Sequence, residues 1–411
     1  MVLYNVFRTL TVSIFIFVMN SNLVFAEDAQ WSSFGTLGIT LSDSDKYGYR
    51  TDISHNNAVF SGDIDLRALS LLGGQVEKSF NNEFDFVGQI VLKELNDPDM
   101  SDYVSMAFLR YKPSAKWSFK AGRLVPDLFM ITEYRNINVA YTWANVPNET
   151  YGIAPFKFLD GAEVIYTQRV PKGTLNVKIF AGESEAIATI DQLTERIKLN
   201  DLLGVSLIYD QNDWNLQARY TRATLGTDKA SVILSENINL IPDFLWPNKN
   251  NIIEQLSIKG KEATYLSLSG QKYWQNWLFN FELTHIASES DLTATLDNGY
   301  ISAAYQQNEH TYYGVFAKTS SDIYQFNETG VDANLFPELI AGINQTMNFY
   351  SSNQQTISLG WRWDINATVA SKLQFNLTDI KAGGATLWLN PGNSLSPETV
   401  PSLMYTLSFA L

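Results

Sequence analysis

Cysteine is absent from this 411-residue chain, so neither a disulfide framework nor a thiolate metal site is open to it. Histidine is scarce: His55, His285 and His310 stand far apart, without the spacing of a zinc-protease helix. There is no GxSxG elbow and no phosphate-gripping Walker loop. These absences speak against an enzyme and against a cofactor or metal. Basic residues are also few, 29 Lys and Arg against 43 Asp and Glu, and the net charge of −14 has the wrong sign for a nucleic-acid partner. Beyond residue 26 no apolar run reaches the ~20 residues of a membrane helix. That excludes a helical inner-membrane transporter but not a protein that crosses in strands.

Residues 1–26 have the layout of a secretory signal. Met1 to Arg8 form a short n-region, Thr9 to Val18 an apolar stretch, and Val24-Phe25-Ala26 a cleavage site. Residues 27–411 then form one unit, because no Pro/Gly/Ser-rich linker or composition shift divides them.

Between Trp31 and Leu411 lie about sixteen short segments of alternating polarity, including 31–41, 63–78, 83–93, 115–123, 276–288 and 402–411. Phe84, Phe86, Gly88, Ile90 and Leu92 alternate with Glu83, Asp85, Val87, Gln89 and Lys93. Ile357, Leu359, Trp361 and Trp363 alternate with Ser358, Gly360, Arg362 and Asp364. A period of two means strands with two unlike faces. The connectors alternate as well. Short turns such as Lys112–Ser114 and Ile365–Asn366 are interleaved with long loops at 42–62, 124–159, 184–199, 224–259, 321–353 and 380–401. Aromatic residues make up 13% of the chain, as girdles at two membrane interfaces require. Strands in lipid must satisfy every backbone group among themselves, which only a closed barrel does. The pattern therefore predicts an all-β, transmembrane antiparallel up-and-down β-barrel of about 16 strands. Long loops lie outside, and short turns and both termini lie in the periplasm. Within 184–199, Ile187, Ile190, Leu193 and Ile197 recur at helical spacing and predict a short helix.

Tyr405, Leu407, Phe409 and Leu411 alternate to the end of the chain. This run resembles the terminal β-signal of Gram-negative outer-membrane proteins, with Leu411 where that pattern usually has Phe. With the signal and the sixteen strands, the chain resembles the 16-stranded bacterial porins over its whole mature length. The run from Gly122 to Met130, with Trp143, Pro147, Glu149 and Tyr151, is also similar to porin-like proteins of marine gammaproteobacteria. The resemblance implies a cell outer-membrane location, contact with outer-membrane lipid, and a homotrimer. It further implies a water-filled channel for passive diffusion of small hydrophilic solutes and a third long loop folded inward as a constriction.

Here that loop is 124–159. Leu128, Phe129, Ile131, Val139, Trp143 and Ile153 make it too apolar to stand free in water, so it should pack into the lumen or over its mouth. Arg123, Asp127, Glu133, Arg135 and Glu149 are its candidate constriction and selectivity residues, with Arg123 and Arg135 foremost. Extrapolated alternation places Arg67, Lys120, Arg219 and Arg362 on the lumen wall, where charged rings tune ion selectivity. Lys178, Lys372, Asp63, Asp65, Asp85 and Glu163 join them. Two other readings stay open. One is a channel specific for an oligosaccharide or organic acid, with Phe129, Tyr134, Tyr141 and Trp143 as a sliding surface. The other is a non-conducting barrel serving as an adhesin or structural protein.

Overall fold

The computed structural model describes residues 29–96, 98–153, 158–190, 193–226, 229–327, 330–391 and 396–411. The signal expected at 1–26 lies outside them. Sixteen antiparallel strands, each paired to the next, close into one barrel. They are β1 (Ala29–Ser42), β2 (Leu71–Ser79), β3 (Phe84–Lys93), β4 (Val104–Ser114), β5 (Trp117–Leu124), β6 (Leu159–Val170), β7 (Gly173–Ile190) and β8 (Leu193–Gln211). The second half comprises β9 (Trp214–Leu225), β10 (Glu262–Trp274), β11 (Trp277–Ser288), β12 (Leu296–Gln307), β13 (His310–Ser321), β14 (Ser352–Asn366), β15 (Val369–Ala385) and β16 (Glu398–Ala410). The first strand meets the last from Phe34↔Ala410 to Ser42↔Ser402, so no sheet edge is left unpaired.

The two faces are inverted relative to a water-soluble protein. On β11, Trp277, Phe279 and Leu283 are exposed while Asn280, Glu282 and Thr284 are buried. The alternation seen in the sequence thus points apolar side chains outward and polar ones inward, the pattern of a membrane barrel. Rings cluster near the short turns: Phe84 stacks on Tyr111 at 4.5 Å, Trp117 packs on Tyr166 at 4.8 Å and Trp277 on Tyr305 at 5.0 Å.

Two expected elements are different in the structure. The second strand begins at Leu71 rather than residue 63. Asp65 Oδ1 accepts from the backbone N–H groups of Arg67 (2.8 Å) and Ala68 (2.6 Å), which turns the chain there instead of extending it. The expected helix at 187–197 is instead the far end of the β7–β8 hairpin, with Ile187 opposite Arg196. Its Ile and Thr residues are β-branched and suit a ladder better than a helix. The hairpin also gains a docking partner, because Thr189 N–H donates to the Ile53 carbonyl at 2.8 Å.

At the long-loop end, α2 (Lys229–Asn239), α3 (Lys249–Gln255) and α4 (Pro337–Met347) follow α1, a single turn at Asn148–Tyr151. Ile238, Trp246, Ile252, Leu256, Ile343 and Met347 form an apolar cluster with Ile197, Leu199 and Leu225. It braces the extended strands β7 to β9 above the barrel rim. A second apolar cluster lies inside the barrel.

Candidate functional site: the barrel interior

The described part of the third long connector, residues 125–153, runs through the interior. Near its start, Asp127 accepts from Arg219 Nε at 3.0 Å and lies 3.4 Å from Lys178 Nζ. Met130 N–H donates to Glu282 on β11 at 3.0 Å. The chain then descends toward the short-turn end, where Asn138 Oδ1 accepts from Ser408 on β16 at 2.7 Å. Lys372 Nζ donates to the carbonyls of Asn138, Tyr141 and Trp143 at 2.5, 2.6 and 2.9 Å. Arg362 donates to the Tyr141 carbonyl at 2.7 Å. On the return, Ala144 N–H donates to Tyr313 Oη (3.0 Å) and Gln374 Oε1 (3.1 Å). Gln354 and Thr356 donate to Glu149, and Tyr151 Oη donates to Glu282 at 2.6 Å.

These bonds bind the connector to strands from β7 round to β16. Between them Leu128, Phe129, Ile131, Trp143 and Ile153 pack with Tyr265, Tyr300 and Tyr313 of the wall and with Tyr49 and Trp388 of the first and last connectors. Dry contact and these polar pairs hold the segment to the wall, where Glu282, Lys372 and Gln374 each find a partner in the connector. The wall of β2 to β4 is different. Its polar groups pair with one another: Gln89 with Gln75 (2.9 Å), Arg110 with Asp85 (3.0 Å) and with Glu77, and Lys112 with Asp85 (3.0 Å). Lys112 and Glu77 remain partly open to solvent. Clefts run between this wall and the connector, lined by Asp52, Lys93, Ser105, Thr132, Arg135 and Asn136. The interior is thus filled on one side and wet on the other.

No protein-family model matches the chain, and no curated protein matches it in sequence. Solved structures do. The outer-membrane channel DcaP of Acinetobacter baumannii aligns with a TM-score of 0.55 at 10% identity, over 93% of this chain and 97% of that one. An anion-selective porin from Comamonas acidovorans gives 0.53 at 11% identity, over 93% and 100%. Salmonella typhi OmpF, in complex with daunomycin, gives 0.51 at 11%, over 93% and 97%. The chain has the fold of the Gram-negative outer-membrane porins.

Within this porin fold the sequence-selected residues separate into groups. Asp127, Glu133, Lys178 and Arg219 lie together: Lys178 Nζ donates to Glu133 Oε1 at 2.7 Å. Burial opposes ionisation of Asp127, but Arg219 and Lys178 outweigh it and hold the carboxyl below its ordinary value. Lys178 does the same for Glu133, whose side chain stays 61% exposed. Arg135 lines both clefts and donates to the Tyr151 carbonyl at 2.7 Å. Lys120 pairs with Glu163 on the inner wall at 2.7 Å, and Arg362 pairs with Asp364 at 2.6 Å.

Three candidates stand elsewhere. Arg123 shares the outward register of Trp117 and Phe119; it pairs with Asp160 at 2.7 Å and lies 3.8 Å from the Phe158 ring centre, at the rim. Its place next to the loop in sequence suggested the lumen, but strand parity turns it away. Arg67 is not on a strand; it sits exposed in the first connector with Asp65 and Glu94. Glu149, in the connector itself, is buried against β14 rather than open to a cleft, and loss of water raises its carboxyl above the ordinary value. Phe129 and Trp143 are likewise buried and offer no sliding surface. Glu282, which anchors the connector twice, was missed, although its place between outward Phe281 and Leu283 marks it as inward.

Proposed function

We propose that the protein is an outer-membrane channel for passive diffusion of small hydrophilic solutes, narrowed by residues 125–153 to an off-centre passage along β2 to β4. The observation that carries this reading is the division of the interior. The connector packs dry against β7 to β16, whereas the β2–β4 wall pairs its charges within itself, leaves Glu77 and Lys112 partly open to solvent, and is parted from the connector by clefts. Charged groups on both sides of a narrow passage filter by size and field, without a reaction. Asp52, Lys93 and Arg135 line both clefts, so the passage carries both signs and selectivity is modest. The even strand count puts both barrel ends on the short-turn, periplasmic side. The long connectors face outward, and export follows from the signal at 1–26. Assembly as a homotrimer follows from the resemblance to porins; light scattering on the detergent-solubilised protein checks it. Swelling of liposomes holding the purified protein tests the function. Glucose and small amino acids should enter, with rates falling steeply with solute size. Swelling no faster than in protein-free liposomes would sink the proposal.

A further inference from the structure

Above the passage, the outer loops enclose a chamber of about 820 Å³, within the range of roughly 300–1,000 Å³ typical of small-molecule sites. It opens between α4, the segment 323–326, the end of β15 and the last connector. Among the described residues Arg50 carries the only formal charge of the lining; the rest is aromatic, amide, hydroxyl or aliphatic. Arg50 lies in its floor, 3% exposed, and is committed to the protein itself. It donates to the carbonyls of His55 (3.1 Å), Thr189 (3.3 Å) and Ile53 (3.4 Å), and to that of Thr386. One guanidinium therefore ties the first connector, the hairpin tip and the last connector. The clefts along β2 to β4 begin at Thr51, Asp52 and His55, the residues held by this tie.

We propose that the chamber is an entry-side binding site for an uncharged carbohydrate of one or two rings. The Gln325 amide presents a donor and an acceptor together, which matches hydroxyl groups that are both, and Asn344, its Oδ1 accepting from Phe326 N–H at 2.9 Å, turns an amide on the same lining. The half-buried rings of Phe349 and Tyr324 supply flat apolar faces for the C–H side of a sugar ring. A charged solute would lose its hydration there and meet only Arg50, whose two terminal nitrogens already serve carbonyls and whose Nε is buried from the chamber with the rest of the side chain. Delivery of the captured sugar to the passage rests on the channel reading; binding does not.

The test is calorimetric titration of the folded, full-length protein in detergent with glucose, galactose, N-acetylglucosamine, maltose and cellobiose, and with succinate and phosphate as charged probes. At least one neutral sugar should bind saturably and more tightly than either anion. Ala341→Trp, on the exposed face of α4 lining the chamber, should fill the space without removing any bond and weaken that binding at least ~10-fold. Gln325→Ala, an exposed position, should weaken it severalfold with the fold intact. No saturable neutral-sugar binding, tighter binding of an anion, or indifference to Ala341→Trp would overturn the proposal. Sugar binding by a protein that fails to conduct would instead retain the site and remove the channel.

Discussion

Replacing Arg219 with Met tests how the interior connector is held. The Arg219 and Asp127 side chains are 1% and 5% exposed and meet at 3.0 Å. Removing one member of such a pair strands a buried charge and costs about 3–5 kcal/mol. Lys178, 3.4 Å from Asp127, remains and keeps the cost near the lower end, about 3 kcal/mol. The barrel ladder makes no use of either side chain, so the loss falls on the seating of residues 125–132. A 3 kcal/mol loss raises the open fraction of that segment roughly 150-fold. The chain has no cysteine, so a single Leu128→Cys reports on it cleanly. Leu128 is 3% exposed, and maleimide labelling of Cys at this position should accelerate by about two orders of magnitude in the Arg219→Met background. The double change Asp127→Asn, Arg219→Met should recover much of the protection, because it removes the stranded charge. Labelling within about threefold of the parent, under ~0.7 kcal/mol, would refute the reasoning.

Glu149 predicts a pH effect. Its folded value lies above the ordinary one, so the folded chain keeps a proton that the unfolded chain releases. Stability should then fall as pH rises from about 4.3, the unfolded value, through the folded value. Glu149→Gln should flatten that slope and raise the melting temperature at neutral pH; an unchanged slope in thermal melts across the range would contradict this. Arg135→Ala removes a cation from both clefts and should shift the reversal potential toward cation selectivity. Arg123→Ala should leave it unchanged, since that side chain faces outward; the opposite pair of results would place the filter at the rim.

The barrel was largely legible in the sequence because its physics is local. Lipid on one side and water on the other impose a period of two on every strand, and even weak segments such as β10 fall into register with their neighbours. Two errors came from reading spacing without partners. Ile187 to Ile197 fits a helix until Thr189 finds Ile53 across the mouth, and 63–70 fits a strand until Asp65 captures the N–H groups of Arg67 and Ala68. Arg123 was recoverable, for Trp117, Phe119 and Ala121 set a parity that turns it outward. The path of residues 125–153 was not. It depends on pairs such as Asn138 with Ser408 and Trp143 with Lys372, more than two hundred positions apart, which no local pattern encodes. Composition marked the segment as one that must pack; only the three-dimensional wall shows which side it fills.

The central claim is that a wet passage persists beside the packed connector. Single-channel recording in a planar bilayer tests it most directly, using folded protein whose insertion is confirmed by its heat-modifiable mobility in gels. The structure predicts discrete, ohmic conductance steps in potassium chloride that are altered by Arg135→Ala and untouched by Arg123→Ala. Inserted, folded protein that gives no steps would contradict it and leave a sealed barrel.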